Sequence, residues 1–283
     1  MDIIICTTLK DCLISKKTIR YIRKNIDVDA IYILTDKNNF KFYSDRFKAK
    51  YGVIPLDETL IVPNRQRLKE VADSHFTCDF RFGWYYQQFL KMNFARSEYA
   101  KEHYLIWDSD TIPLHKLSFL EGDQMVFTPK TEHHKSYFEA IERMFGYGKM
   151  VPYSFIAEHM IVDTAIMKEI VAQIESLDIA GDSWTEKAIR ATTPDNPNAF
   201  SEFETYGTYC HVNYPDRYKT RELCTYRGAG EKYSRLISDW RLARLAKKYD
   251  TISLEDWSET RRMIPRMKNR IAEKYTTFLD WLL

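Results

Sequence analysis

Short apolar runs alternate, in the first part of the chain, with a stretch whose apolar residues recur at helical spacing. Residues 2–7 and 30–35 are rich in Ile and other strand-forming residues, and each predicts a strand. Between them, Ile19 and Ile22 belong to a helical pattern over residues 12–25. This order predicts an α/β fold with a parallel sheet flanked by helices, in which ligands bind beyond the carboxyl ends of the strands.

The same pattern continues through the middle of the chain. We expect three more strands, near residues 51–55, 124–128 and 159–163. We expect two more helices, over residues 82–98 and from Thr164, as its cap, to about residue 176. Two stretches are rich in loop-forming residues: 133–148, which we expect to be a mobile loop, and 192–198.

The segment with the most chemical content is residues 104–113, whose sequence is YLIWDSDTIP. Asp108 and Asp110 stand one residue apart immediately after an apolar run, which predicts a buried strand ended by Pro113. Two carboxylates at the end of a central strand form a hard oxygen site suited to Mg²⁺ or Mn²⁺, ions that commonly bind together with a phosphorylated substrate. The structural alternative is a turn, where Asp and Ser are common because they bond the local backbone.

Other polar residues are candidates for the same edge of the sheet. Thr7, Thr8 and Asp36 follow the first two predicted strands. Gln88 and Lys91 share one face of the helix that precedes the Asp-x-Asp strand, and from there they could reach a nucleotide diphosphate. The alternative for that face is an ordinary solvated helix surface.

Composition narrows the class of protein. With 283 residues, 45% of them hydrophobic, the chain can form one large domain or two small ones with a sizeable core. A formal charge of +2 gives no reason to expect nucleic acid as a partner. Five cysteines without close pairs predict reduced thiols, and no stretch has the pattern of a signal peptide or a membrane span, so cytoplasmic residence is the expectation.

After about residue 231 the chain becomes basic and mostly helical in pattern, with aromatic residues among the cations. Basic helices with aromatics can rest on an anionic membrane surface, which makes peripheral membrane association one interpretation. The other is a solvated C-terminal helix that packs by its apolar side, because Glu and Asp dilute the charge.

A strand ending in Thr-Thr, an apolar strand closing in Trp-Asp-Ser-Asp and a later acidic helix start together resemble the nucleotide-sugar glycosyltransferases of the GT-A fold. The closest likeness is to microbial enzymes that build capsule, lipopolysaccharide or other surface glycans. The resemblance covers residues 2–235 and implies a Rossmann-like catalytic domain over 1–235. It further implies a nucleotide-binding part at about 1–128, an acceptor-binding part at about 129–235, and a helical basic extension over 236–283.

The resemblance also implies roles. In that family the residue matching Asp110 binds Mn²⁺ or Mg²⁺ directly, and the residue matching Asp108 contacts the ribose or the metal. The donor would be a UDP- or GDP-sugar and the acceptor a glycan or glycolipid. The cation is needed because the departing nucleoside diphosphate accumulates negative charge as the glycosidic bond breaks.

Residues 200–207 resemble the position where inverting members of the family carry their catalytic base. The candidates are Glu202 and Glu204. Ser201 and Glu204 match a capping box, which gives Glu204 a structural role and leaves Glu202 freer to accept a proton. The alternative is a helix start that favours acids through its dipole. Retaining members share the Asp-x-Asp pair and need no base, so both stereochemical courses stay open.

Family members also carry a third metal ligand, often His, and a cationic loop over the diphosphate. Residues 226–232 form a glycine-containing loop with Arg227 and Lys232, whose backbone N–H groups could approach phosphate. That loop has no His, and His211 is the nearest candidate for the third ligand. His159 is instead expected to face an acceptor sugar if it has a functional role.

Two rival functions use the same features. Haloacid-dehalogenase-like phosphatases also have an apolar strand followed by Asp-x-Asp, but there the motif opens the chain and continues with Gly-Thr, whereas here Thr111 and Ile112 follow. The other rival is a catalytically silent module that binds nucleotide sugars.

Overall fold

The computed structural model describes residues 1–233, 235 and 237–255. The predicted basic helices beyond residue 255 lie outside the described residues. The strands are β1 Asp2–Cys6, β2 Ile31–Thr35, β3 Val53–Asp57, β4 His103–Trp107, β5 Thr111–Pro113, β6 Leu120–Glu121, β7 Gln124–Phe127, β8 His159–Asp163, β9 Tyr218–Thr220, β10 Thr225–Tyr226 and β11 Thr251–Ser253. The α-helices are α1 Cys12–Asn25, α2 Asp45–Tyr51, α3 Glu58–Ile61, α4 Arg65–His75, α5 Phe82–Asn93, α6 Lys135–Phe145, α7 Thr164–Glu175, α8 Trp184–Arg190, α9 Glu202–Asn213, α10 Ala229–Lys232 and α11 Asp239–Leu245.

The central sheet has five strands in the order β3-β2-β1-β4-β8 and is mostly parallel. β1 pairs in parallel with β2, with Cys6 opposite Leu34, and β2 pairs in parallel with β3, with Thr35 opposite Asp57. Every residue of β1, β2 and β8 is buried, as expected for strands covered on both faces. The predicted α/β fold is confirmed.

The chain divides into two compact units, each assembled from separate segments. The first contains Met1–Asp57, Ile106–Ser118 and the described residues from Glu222 to 255; the second contains Glu58–Leu105 and Phe119–Arg221. In the first unit β11 lies between β10 and β5 in a small three-stranded sheet, so the described chain after residue 236 returns to this unit. The boundaries predicted from the resemblance stay predictions.

Two details of the predicted secondary structure are wrong. Residues 133–148 contain helix α6, whose apolar residues Tyr137, Ile141 and Met144 recur every three or four positions and are buried. The helix ends at Gly146, whose φ of 80° lies in the left-handed region. Its flanking His and Gly residues gave the stretch the composition of a loop, although the apolar spacing between them is helical.

The second error concerns the strand before the Asp pair. Instead of running on to Pro113, β4 ends at Trp107. Strand β5 belongs to the three-stranded sheet with β10 and β11, where Pro113 lies opposite Thr251. The Asp-Ser-Asp sequence therefore forms a turn between two strands. The indole N–H of Trp107 donates to the carbonyl of Thr111 over 2.7 Å and closes this turn.

No helix among the described residues is both long and apolar enough to cross a membrane.

Candidate functional site

The Asp-Ser-Asp turn of the first unit is fixed by a hydrogen bond to the backbone carbonyl of each of its residues. The amide of Thr111 donates to the carbonyl of Asp108 over 3.2 Å, and the amide of Leu254 donates to that of Asp110 over 2.9 Å. The Thr18 hydroxyl donates to the carbonyl of Ser109 over 2.8 Å. Because the backbone is held by three separate elements, the two carboxylates are presented from a rigid support.

Both Asp side chains keep part of their surface accessible, and they stand among other acids. The loss of surrounding water, together with the nearby carboxylates of Asp108, Glu255 and Asp11, raises the pKa of the Asp110 carboxyl to about 8, against the opposing charge of Arg235. A site that holds this much negative charge favours a bound cation.

The donor set fits Mg²⁺ or Mn²⁺, which prefer oxygen ligands. Among the described residues, no group of three or more His, Cys, Asp or Glu side chains is placed to hold a metal ion. An ion at Asp108 and Asp110 would therefore need further ligands from substrate phosphate and water, which is how Mg²⁺ commonly binds.

Thr8 joins this acidic cluster through Asp11. The Thr8 hydroxyl donates to Asp11 Oδ2 over 2.8 Å, and Arg235 forms an ion pair with Oδ1 of the same carboxylate over 2.5 Å. Arg235 also donates to the carbonyl of Lys10 over 2.7 Å. The sequence analysis did not identify three residues of this cluster: Asp11, Glu255 and Arg235. Of these, only Asp11 could have been found from the sequence, because it lies three residues after Thr8, close to the end of strand β1.

The other two residues expected at this edge have local roles. Thr7 is buried, and its amide donates to the carbonyl of Leu34 over 3.0 Å, which extends the pairing of β1 with β2. Asp36 is exposed, and its carboxylate accepts from the amide of Asn38 over 2.8 Å. Their predicted part in nucleotide binding stays a prediction.

Residues 226–232, predicted as a loop, contain the end of β10 and the short helix α10, and they reach the acidic cluster through one of their two cations. Arg227 Nη2 lies 4.0 Å from Glu255 Oε2. Close packing requires Gly230, because a Cβ there would lie 2.2 Å from the carbonyl oxygen of Glu255. The exposed Lys232 lies over the ring of Tyr233, with 5.7 Å between its Nζ and the ring centroid.

In the second unit, Gln88 and Lys91 surround Glu202. Lys91 Nζ lies 2.7 Å from Glu202 Oε1, and the amide of Glu202 donates to Gln88 Oε1 over 3.0 Å. All three side chains are buried. The expectation that Glu202 is the less constrained of the two candidate bases is therefore wrong, since its carboxylate forms a buried ion pair.

Glu204 is buried, with less constraint on its carboxyl group. The Ser154 hydroxyl donates to its Oε1 over 2.5 Å, while Oε2 has no hydrogen-bond partner within the part of the chain that the structure describes. Burial raises the pKa of this carboxyl, against the opposing Ser154 hydrogen bond. Half of the predicted capping box forms: Ser201 Oγ accepts from the amide of Glu204 over 3.2 Å, but the Glu204 carboxylate bonds Ser154 instead.

The two candidate histidines of this unit contact hydroxyl groups. His211 Nδ1 lies 2.8 Å from the Tyr218 hydroxyl, and a role as metal ligand stays a prediction. His159 Nε2 lies 3.0 Å from Thr128 Oγ1, and its ring packs against that of Phe119. Only 2% of His159 is exposed, so it is a core residue in this structure.

The burial of His159 predicts a loss of stability in acid. Burial lowers the pKa of its imidazole to about 3, with Lys130 and Arg221 adding to the effect. Below pH 6.5 the unfolded chain takes up a proton that the folded chain does not, so the free energy of unfolding should fall by about 1.4 kcal/mol per pH unit from this group. Because Asp110 contributes a slope of the opposite sign in the metal-free protein, the quantity to measure is the difference in unfolding free energy between wild type and His159→Gln. In urea unfolding between pH 6.5 and 5, this difference should change by about 1.4 kcal/mol per pH unit. The difference between wild type and the exposed His133→Gln should not change.

Comparison with solved structures places the fold among glycosyltransferases. Mouse xyloside xylosyltransferase 1 superposes with a TM-score of 0.51 at 10% identity, covering 89% of this chain and 97% of that one. The bifunctional glycosyltransferase WbbM superposes with a TM-score of 0.50 at 14% identity over 90% of this chain, which spans 46% of WbbM. At such identities the likeness shows the GT-A fold alone.

Sequence comparison gives the family. A search of curated proteins returns no match. Residues 5–251 match the model of a family described as "Family of unknown function (DUF6492)". The match covers most of the chain, and the protein therefore belongs to this family.

Proposed function

We propose that this protein is a metal-dependent glycosyltransferase that moves a sugar from a nucleoside-diphosphate donor, a UDP- or GDP-sugar, to a hydroxyl group of a glycan or glycolipid. The observation that carries the proposal is the acidic cluster around Asp108 and Asp110, presented on a rigid turn after β4 of a GT-A fold. Two structurally similar proteins, whose names describe a xylosyltransferase and a glycosyltransferase, support the class of reaction.

In this proposal the first unit binds the donor. Asp110 and Asp108 hold Mn²⁺ or Mg²⁺, which when bound stabilises the charge of the departing diphosphate as a Lewis acid. The Thr8 hydroxyl, which donates to Asp11, and the guanidinium of Arg227, which lies 4.0 Å from Glu255, would donate to phosphate oxygens of the donor. Thr7, Asp36 and Lys232 also belong to the nucleotide-binding set inferred from the sequence, whereas Gln88 and Lys91 of that set contact Glu202 in the second unit.

The second unit activates the acceptor, with Glu204 as the general base and inversion of the anomeric centre. One oxygen of Glu204 is held by Ser154, and the other is buried without a hydrogen-bond partner in the described residues; in this proposal it is the atom that accepts the proton of the acceptor hydroxyl. The raised pKa makes this carboxylate a stronger base than an exposed one. Glu202 is the second candidate, but its carboxylate is held in a buried ion pair with Lys91.

Glu204→Gln should lower kcat by about 10²–10⁴-fold, the usual contribution of a general base, because the amide keeps the shape and cannot accept the proton. Ser154→Ala should keep activity but move the acidic limb of the kcat/KM profile to higher pH, since it removes the hydrogen bond that stabilises the carboxylate. Product NMR should show an inverted anomer. A retained anomer, or full activity of Glu204→Gln, would exclude this base.

A donor screen tests the function itself. Thermal shift with UDP- and GDP-sugars should show stabilisation that depends on Mn²⁺, because a ligand bound only by the folded state raises its apparent stability. The selected donor should then release nucleoside diphosphate on addition of an acceptor. Metal-dependent release of phosphate from p-nitrophenyl phosphate would support a phosphatase instead. Donor binding without turnover for every glycan tested would support a silent binding module.

A further inference from the structure

Helix α11 of the first unit carries a large exposed aromatic side chain that the core does not use. Trp240 is 64% exposed. The opposite face of the helix is already packed, because Leu242 is fully buried in a cluster with Ile112 and Ile252, and Leu245 packs against the same cluster. The core therefore gives no reason for a Trp at position 240, and large exposed aromatics of this kind commonly mark a contact surface.

Cations surround this Trp. The exposed residues Arg241, Arg244, Lys247 and Lys248 follow it within eight positions, with no acid between residues 240 and 248. None of these four side chains forms an ion pair within the described ranges, whereas the preceding Asp239 is engaged by Lys17 at 3.3 Å and Arg20 at 3.5 Å. We call Trp240 and these four cations the basic face.

A neighbouring segment adds to the basic face. The ring Nε2 of His115 lies 2.6 Å from the carbonyl oxygen of Ala246, which brings residues 115–116 against the end of the helix. Lys116 is exposed there as well. Positive charge is thus contributed by two segments of the first unit that are far apart in sequence.

The form of the basic face fits a lipid surface better than nucleic acid. The Arg244 guanidinium lies 4.9 Å from the Trp240 ring, so a cation already occupies one face of the indole, which leaves less of the ring for a base to stack on. An indole beside several cations is the combination that lies at lipid headgroups, where Trp is favoured and each Lys or Arg contributes attraction to anionic lipid.

We propose that the basic face docks this protein onto an anionic membrane surface. Trp240 enters the headgroup region, and Arg241, Arg244, Lys247 and Lys248 contact lipid phosphates. None of these residues is among the charged groups that act on Asp110, and the docking does not depend on the function proposed above.

Co-sedimentation of the full chain with vesicles tests the proposal. Phosphatidylcholine vesicles containing about one third phosphatidylglycerol should bind the protein at low salt, and pure phosphatidylcholine should not. Lys247→Glu with Lys248→Glu should weaken binding at least tenfold, and Trp240→Ala about fivefold. The matched control Lys135→Glu with Lys168→Glu changes the charge equally on exposed positions of the second unit and should bind as wild type.

Three outcomes would overturn the proposal: equal binding to both kinds of vesicle, unchanged binding of the Lys247→Glu and Lys248→Glu variant, or equal losses in that variant and the control. Binding of duplex DNA that is weakened by the same pair of substitutions and not by Trp240→Ala would assign the face to nucleic acid instead. Melting temperatures of all variants should match wild type, because the changed side chains are exposed.

Discussion

Replacing Asp110 with Asn should lower turnover by about 10²–10³-fold and at the same time stabilise the metal-free protein. The loss of activity follows because the amide is a poor ligand for a cation whose charge the reaction needs, a contribution of about 3–4 kcal/mol to the barrier. The gain in stability follows because burial and the neighbouring carboxylates of Asp108, Glu255 and Asp11 disfavour the ionised form of Asp110 in the folded protein, whereas the unfolded chain ionises it freely. An amide side chain does not ionise and avoids this cost.

The pH dependence of the stability gain distinguishes this prediction from a general structural effect of the substitution. The unfolded carboxyl ionises near pH 4, while the folded one keeps its proton to about pH 8, so stability from this group is lost as pH rises between those values. The advantage of Asp110→Asn in urea unfolding, measured with EDTA, should therefore grow from pH 5 to pH 8.

A matched control for Asp110→Asn is Asp73→Asn, which changes an exposed carboxylate on α4 and should affect neither property. If Asp110→Asn kept full metal-dependent turnover, the proposed metal site would be wrong. If Asp110→Asn lowered the free energy of unfolding at every pH, the inference that the folded protein disfavours the ionised form of Asp110 would be wrong.

The parts of the fold that could be predicted are those with a local signal. β1, β2 and β8 are short apolar runs because both faces of a parallel sheet are covered, and a run of that kind is visible in the sequence. Strand β5 could not be separated from β4, since the turn between them is set by Trp107 and by pairing with β11, which follows more than a hundred residues later.

The candidate site was predictable to a smaller extent for the same reason. Asp108 and Asp110 stand together in the sequence, but Glu255 and Arg235 reach them only through the fold, and no spacing rule connects those segments. Lys91 and Glu202 lie 111 positions apart. The sequence analysis selected both residues, but it predicted that Lys91 contacts a nucleotide diphosphate and that Glu202 is a catalytic base. Their ion pair could not be predicted, because two residues so far apart in the sequence form no local pattern.

The Lys91–Glu202 pair gives the largest predicted effect on stability. Lys91→Met should lower the free energy of unfolding by about 3–5 kcal/mol, because it leaves the Glu202 carboxylate buried without its counter-charge. The double variant Lys91→Met with Glu202→Gln should recover much of that loss, since no charge then remains buried. Urea unfolding of wild type, both single variants and the double variant gives the coupling energy.

A matched exposed pair is the control. Lys69 and Asp73 lie 2.6 Å apart, but their side chains are about half exposed, and Lys69→Met should cost less than about 1 kcal/mol. A loss for Lys91→Met no larger than this would show that the ion pair is solvated, contrary to the structure.

The same double variant separates the structural role of Glu202 from a catalytic one. Glu202→Gln alone is ambiguous, because it leaves Lys91 charged and buried and can reduce activity by unfolding the start of α9. The double variant lacks the Glu202 carboxylate, and it also lacks the buried Lys91 charge that the single variant leaves without a partner. If Glu204 is the base, this variant should keep kcat within a few-fold of wild type at a temperature where both proteins are folded. A loss of 10²-fold or more in a folded double variant would transfer the catalytic role to Glu202, with Lys91 as the residue that positions it.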